Sequence, residues 1–284
     1  MDAHTMTGTQ IDDAAAPRTI DSMNHVTPAD RGRVIVASSH GGLYCAYKAH
    51  SVGARGVVLN DAGVGKDGAG IGSLDYCDAV AMPAATVAHT SARIGDVADM
   101  LRRGVISHAN AAAQALGVAP GMACAAAWRA MTAADLPALP SAPVVEFRHL
   151  VDVGAAERVV CIDSASLILA EDAGRVVVTG SHGGLIGGDP AKAINVAARF
   201  VAFNDAGVGI DRAGLGRLAP LQRLGIAAAT VGHMSARIGD GASTLHDGIV
   251  SHANEAALAL GVTPGRPLEA ALRDCLARAA PSVI

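Results

Sequence analysis

Thr86-Val87-Ala88-His89-Thr90-Ser91-Ala92-Arg93-Ile94-Gly95-Asp96 returns almost unchanged as Thr230-Val231-Gly232-His233-Met234-Ser235-Ala236-Arg237-Ile238-Gly239-Asp240. Each copy is a short apolar run ending in a His, a Ser, an Arg and an Asp, a polar set that core packing does not require. Outward from here the same offset of 144 residues relates Asn60-Asp61-Ala62-Gly63-Val64-Gly65 to Asn204 through Gly209, and Ser107-His108-Ala109-Asn110 to Ser251 through Asn254. Upstream of Lys48 and Lys192 the offset is 142, matching Ser39-His40-Gly41-Gly42 to Ser181-His182-Gly183-Gly184 and Ile20-Asp21-Ser22 to Ile162-Asp163-Ser164. The second copy therefore carries two extra residues between Gly184 and Lys192. Solenoid repeats recur roughly every 20 to 50 residues, so this period reads as a tandem domain duplication.

The apolar runs decide the fold class. Arg33 to Ser38, Gly56 to Leu59 and Ala84 to Ala88 are short β-branched or small apolar segments, each ending in a polar, Gly-rich turn. Helices are expected from about Tyr44 to Val52, after Asp189-Pro190 in the second copy, and from Ser91 to Arg103. Asp67 and Asp211 stand where helix N-caps would. Gly104-Val105-Ile106 reads as a short fourth strand. Alternating strands and helices predict two parallel-sheet, Rossmann-like α/β domains related by a pseudo-twofold axis. The expected divisions are a disordered leader over residues 1–18, a first repeat over 19–145 and a second over 146–284. A Pro-rich linker falls between Thr132 and Pro143, and Val144 to Val151 and Val159 to Leu169 are further extended candidates.

Composition bounds the partners. Across 284 residues 51% are apolar but only 2% aromatic, so small side chains fill the interior. Charged residues make up 17%, below the usual share of about 25%, which suggests surface covered in a homo-oligomer. A net charge of −4 offers no footprint for nucleic acid. No apolar run approaches the ~20 residues of a membrane helix, and the expected location is cytoplasmic. The five cysteines have no metal-ligand spacing and none recurs in the other copy, so they read as buried filler.

Ligands of open α/β sheets bind beyond the carboxyl ends of the strands, and there the repeated polar residues concentrate. The residues between them have diverged: Tyr44 faces Ile186, Asp75 faces Ala219 and Met100 faces Thr244. The expected catalytic set is Ser39, His40, Asp61, His89 and Ser91, with Ser181, His182, Asp205, His233 and Ser235 in the second copy. His40 or His89 would act as general base oriented by Asp61, with a Ser or a water as nucleophile. Gly41, Gly42, Gly183 and Gly184 would offer N–H groups to an oxyanion, with Asn60 and Asn204 also touching substrate. Arg93 and Arg237, read as first-turn helix residues, would clamp a substrate carboxylate.

The bland alternatives are equally concrete. The Ser-His-Gly-Gly and Asn-Asp-Ala-Gly segments would be self-bonded turns, Arg93 would pair with Asp96, Ser107-His108 would be structural, and Lys48 and Lys192 would be solvated. Together the motifs predict an enzyme hydrolysing an amide or ester of a small anionic metabolite without a cofactor. One alternative is a hydrolase or lyase in which His40, Asp61 and His89 hold zinc, manganese or iron. The other is a non-catalytic binding or assembly module. No P-loop, dinucleotide fingerprint or nucleophile elbow is present.

Overall fold

The short apolar runs all become strands in a computed structural model, which describes residues 16–138 and 143–279. Strand β1 (Arg18–Ile20) leads to β2 (Val34–His40), α1 (Leu43–Ser51), β3 (Gly56–Asn60), α2 (Ser73–Ala79) and β4 (Ala84–Val87). Helix α3 (Val97–Arg103), β5 (Ile106–Ala109), α4 (Ala111–Ala115) and α5 (Cys124–Met131) complete the first half. The second half contains β6 (Arg148–Val151), β7 (Val159–Ile162), β8 (Val176–His182), β9 (Phe200–Asn204), α6 (Leu218–Arg223) and β10 (Ala227–Val231). It ends with α7 (Gly241–His246), β11 (Val250–Ala253), α8 (Glu255–Ala259) and α9 (Leu268–Ala279). Residues 1–15 of the expected leader and 139–142 of the expected linker lie outside the described residues, and β1 begins at Arg18, inside the expected leader.

The result is an α/β fold of two sheets. The first has the order β1-β2-β3-β4-β5 and the second β11-β10-β9-β8-β7-β6. Inner strands pair parallel, but β5, β6 and β11 are antiparallel edges, so the sheets are mixed where all-parallel ones were expected. The strand order never reverses, so neither sheet has the crevice at a reversal point where doubly wound sheets bind ligands.

Parallel strands covered on both faces read as continuous apolar runs, and β3 and β9 are buried at every position. Ile35, Val57 and Leu59 meet Ala46 and Cys77 from α1 and α2 on one face of the first sheet. Val34, Val36 and Val58 meet Met100 and Met131 from α3 and α5 on the other. Each such buried aliphatic side chain contributes about 1.5–3 kcal/mol.

Three local expectations are corrected. Helix α3 starts at Val97, because Asp96 is its N-cap and accepts from Asp99 N–H at 2.9 Å. Arg93 therefore precedes the helix, as does Arg237, since Asp240 caps α7. Asp67 and Asp211 are not caps: both sit at positive φ within 3-10 turns, and α2 follows Gly72. After Asp189-Pro190 there is only a 3-10 turn, Pro190–Lys192, instead of the counterpart of α1. In the first half Gly42 C=O accepts from Cys45 and Ala46 N–H, the opening bonds of α1. Its counterpart Gly184 C=O accepts instead from Arg217 Nε at 3.0 Å, and the inserted Gly187 and Gly188 both adopt positive φ.

Candidate active site

Loops at the carboxyl ends of the strands in one sheet contact those of the other. Lys66 N–H donates to His233 C=O and Ile210 N–H to His89 C=O, both at 2.8 Å and both between residues matched by the repeat. Gly63 and Gly207 meet backbone to backbone: a Cβ on Gly63 would stand 2.9 Å from Gly207 Cα. Arg93 Nη2 lies 2.9 Å from Asp211, and Arg237 Nη1 lies 3.1 Å from Asp67.

Beside this contact a cavity of about 450 Å³ draws its wall from both halves, within the range of small-molecule sites. His40 and His182 both line it, brought there by matching irregularities in the β2–β3 and β8–β9 registers. In each, Nδ1 accepts from the N–H two residues on, Gly42 at 3.2 Å and Gly184 at 3.1 Å. That bond fixes the neutral tautomer with the proton on Nε2. Burial lowers His40 to about 4, and burial, Arg217 and His40 together hold His182 well below its ordinary value. Both rings are neutral donors at physiological pH.

Arg217 also lines the cavity and is 6% exposed. Its guanidinium stacks over the Phe203 ring at 5.0 Å, and Nη1 donates to Ala193 C=O at 2.6 Å. Burial lowers its pKa to about 10, which leaves it cationic at neutral pH. Among the described residues no carboxylate pairs with it. Lys192 stands at the same cavity, and Glu146 and Asp163 supply its acidic part. Burial, reinforced by Asp163, raises Glu146, against hydrogen bonds from Tyr44 and Ser164. Burial likewise raises Asp163, against the N–H groups of Phe147 and Gly241.

The expected site residues divide between this cavity and the contact between the halves. Ser39, His40, Ser181 and His182 line the cavity. His89 and His233 are paired instead with Asp61 and Asp205, Nδ1 to Oδ1 at 2.9 and 3.1 Å, and line neither this cavity nor the one beside it. Burial works to raise Asp61, but bonds from the His89 ring and N–H and from Gly63 N–H outweigh it, leaving the carboxyl below its ordinary range.

The proposed metal ligands His40, Asp61 and His89 do not gather, and no group of three or more His, Cys, Asp or Glu side chains among the described residues is placed to hold a metal ion. The oxyanion expectation also fails, because the four glycine N–H groups are committed. Gly41 and Gly183 donate to Asn60 and Asn204 C=O, and Gly42 and Gly184 to the histidine rings. Fully buried Asn60 and Asn204 clip their own loops, accepting from Ala62 and Ala206 N–H and donating to Ala92 and Ala236 C=O.

Ser91 and Ser235 are turn fasteners, each bonding a carbonyl three residues back and accepting an N–H fourteen residues on. Ser39 and Ser181 accept from Met23 and Ala165 N–H. Among the described residues no serine hydroxyl bonds a histidine ring nitrogen, so the serine-nucleophile geometry is missing. Arg93 and Arg237 are occupied by protein carboxylates across the contact.

Sequence reasoning passed over Arg217, Glu146 and Tyr44; Lys192, expected to be solvated or salt-bridged, is exposed and lies 4.0 Å from Asp189 at the edge of the cavity. A signal for Arg217 was available: it stands opposite Ser73, directly after the retained pairs Gly70/Gly214 and Gly72/Gly216. Glu146 carried none, since it lies in the extended candidate Val144 to Val151 just beyond the expected linker and has no described counterpart. Comparison with protein-family models, with curated proteins and with solved structures finds no match.

Proposed function

We propose that this chain is an enzyme acting on a small carboxylate-bearing molecule bound in the cavity between its two halves, by hydrolysis of an amide or ester bond. The observation that carries this reading is Arg217. A buried guanidinium without a carboxylate is costly unless a ligand supplies the counter-charge, and it sits in the wall of a cavity of substrate size. Arg217 and Lys192 take the carboxylate. Neutral His40 donates from Nε2 to the carbonyl oxygen of the bond to be broken, as preorganised donors do where negative charge develops. Glu146, with its raised pKa, takes a proton from water, which is the nucleophile because the serines lack a base.

The two halves belong, in the same proposal, to one duplicated unit arranged about a pseudo-twofold axis passing near Gly63 and Gly207. The reciprocal bonds Lys66 to His233 and Ile210 to His89 support this. Duplication supplied the two histidines, and the divergence of Ser73 and Arg217 turned their meeting place into a single asymmetric site.

The test uses N-acyl and O-acyl derivatives of glycine and glycolate as substrates at pH 7. Hydrolysis is expected with the unmodified chain. It should be abolished in Glu146→Gln and weakened mainly through KM in Arg217→Met, by about 10- to 100-fold for loss of a charge-assisted bond. Binding without turnover would make the chain a carboxylate-binding module; no binding to any member would remove the reading.

A further inference from the structure

A second cavity, of about 460 Å³, adjoins the first. The two share His40, Tyr44, Glu146, Asp163 and Gly239, so the His40 ring and the Glu146 carboxyl stand in the partition between them. Arg217, Lys192 and His182 border the first cavity alone. The second is bordered instead by Leu43, Ala69, Val145, Phe147, Ile238 and Ala242. The charged Arg237 and Asp240 in its wall neutralise one another at 2.9 Å. Passing from one cavity to the other therefore leads from a cationic end, through a polar partition, to an apolar end.

The matching position on the other half is closed. Gly187, one of the residues in the insertion, donates its N–H to Gly95 C=O at 2.7 Å. Leu185 C=O presses so near that a Cβ on Gly95 would stand 2.2 Å from it. At Gly239, which matches Gly95, the nearest atom to such a Cβ is His40 Cε1 at 3.1 Å, with no backbone lid. Among the described residues the apolar chamber is one-sided.

We infer that the second cavity is an acyl subsite and that the substrates are N-acyl or O-acyl carboxylates whose acyl group is an apolar chain of several carbons. The inference rests on the reading of the first cavity as a carboxylate site. The carboxylate lies at Arg217 and Lys192, the acyl carbonyl at His40 and the chain between Leu43, Phe147 and Ala242. Water's oxygen bonds to the acyl carbon and the acyl C–N or C–O bond breaks. The proton that Glu146 takes from water passes to the leaving nitrogen or oxygen, giving a fatty acid and an amino or hydroxy acid.

The probes are analogues of N-acetyl-, N-butanoyl-, N-hexanoyl- and N-octanoylglycine in which CH₂ replaces the amide N–H, so that no bond is cleaved. Calorimetry on the full chain should give affinity rising by about fourfold per methylene until the chamber is full. Ala242→Phe should erase that gain while leaving the acetyl analogue bound as before. Leu43→Asp, at a half-exposed first position of α1 where negative charge is tolerated, should do the same if the Phe variant fails to fold. An affinity that stays flat along the series, with the acetyl analogue still bound, overturns the acyl subsite and leaves the carboxylate site standing. A gain that survives in both folded variants also overturns it. Failure of every analogue to bind, or binding unaffected by Arg217→Met, removes the carboxylate reading and the subsite with it.

Discussion

His40 and His182 carry a pH dependence whose direction follows from burial. A histidine whose folded-state pKa lies below its unfolded value of about 6.5 binds fewer protons folded than unfolded between the two values. Its contribution is full above about 6.5 and is lost as pH falls toward the folded value, about 4 for His40. Stability should therefore decline on acidification through this window, His40 accounting for no more than about 3 kcal/mol. Denaturant unfolding at pH 7 and pH 4.5 measures it: His40→Gln should lose less stability over that interval than the unmodified chain. Equal losses would mean that His40 is not held neutral. The cysteines take no part in this window, since burial pushes Cys45, Cys77, Cys124 and Cys161 up to about 12. Cys45 borders the first cavity but is a thiol, not a thiolate nucleophile.

Among the elements, the loop from His89 to Asp96 shows how local chemistry sets the entry to α3. Asp99 accepts from Arg93 N–H at 2.9 Å, Asp96 accepts from Asp99 N–H, and Asp21 accepts from Val97 N–H at 2.9 Å. Three carboxylates thus satisfy N–H groups around one helix start, where the dipole also favours negative charge. Asp96→Ala should cost about 1 kcal/mol, read as a lowered urea midpoint with an unchanged slope, and should leave carboxylate binding intact. A loss of binding comparable to that of Arg217→Met would assign Asp96 to the site. The motif that repeats most faithfully in this loop is accordingly a scaffold. His, Ser, Arg and Asp recur there because turns, caps and cross-contacts need polar atoms as much as chemistry does.

For the whole molecule, the two sheets depend on close approach at Gly63 and Gly207. Gly63 has φ +78, and a Cβ there would lie 2.9 Å from both Gly207 Cα and His233 Cδ2. Gly63→Ala combines backbone strain of order 1–3 kcal/mol with displacement of one half from the other. Its melting temperature should fall, and binding of the acetyl analogue should fall too, because His40 and His182 reach the cavity from opposite halves. The same variant with normal binding would show that the cavity does not require the contact. Surface pairs across the contact, such as Arg237 with Asp67, are worth only about 0–1 kcal/mol each. Their loss should change melting little.

The α/β class and the placement of the strands were legible in the residues because β-branched runs such as Val34 to Ala37 and turns such as Asn60 to Gly65 are short-range patterns. A strand's period and a turn's glycines leave a mark within a few residues, whatever lies across the molecule. The site was legible only in part. His40 and His182, expected in the site, border the cavity, whereas Arg93 and Arg237, expected to clamp a substrate carboxylate, meet the protein's own Asp211 and Asp67. Whether an arginine is free for a ligand depends on distant carboxylates. Arg93 meets Asp211 only after two sheets have been brought together, and among the described residues Arg217 meets the carbonyls of Gly184 and Ala193 and no carboxylate. Hydrogen-bond commitment works the same way at Gly41, whose N–H would serve an oxyanion if Asn60 C=O on the neighbouring strand did not already accept it. Periodicity and turn chemistry act along the chain, while burial and the pairing of charge are set by what folding places opposite, and here tertiary packing made that choice.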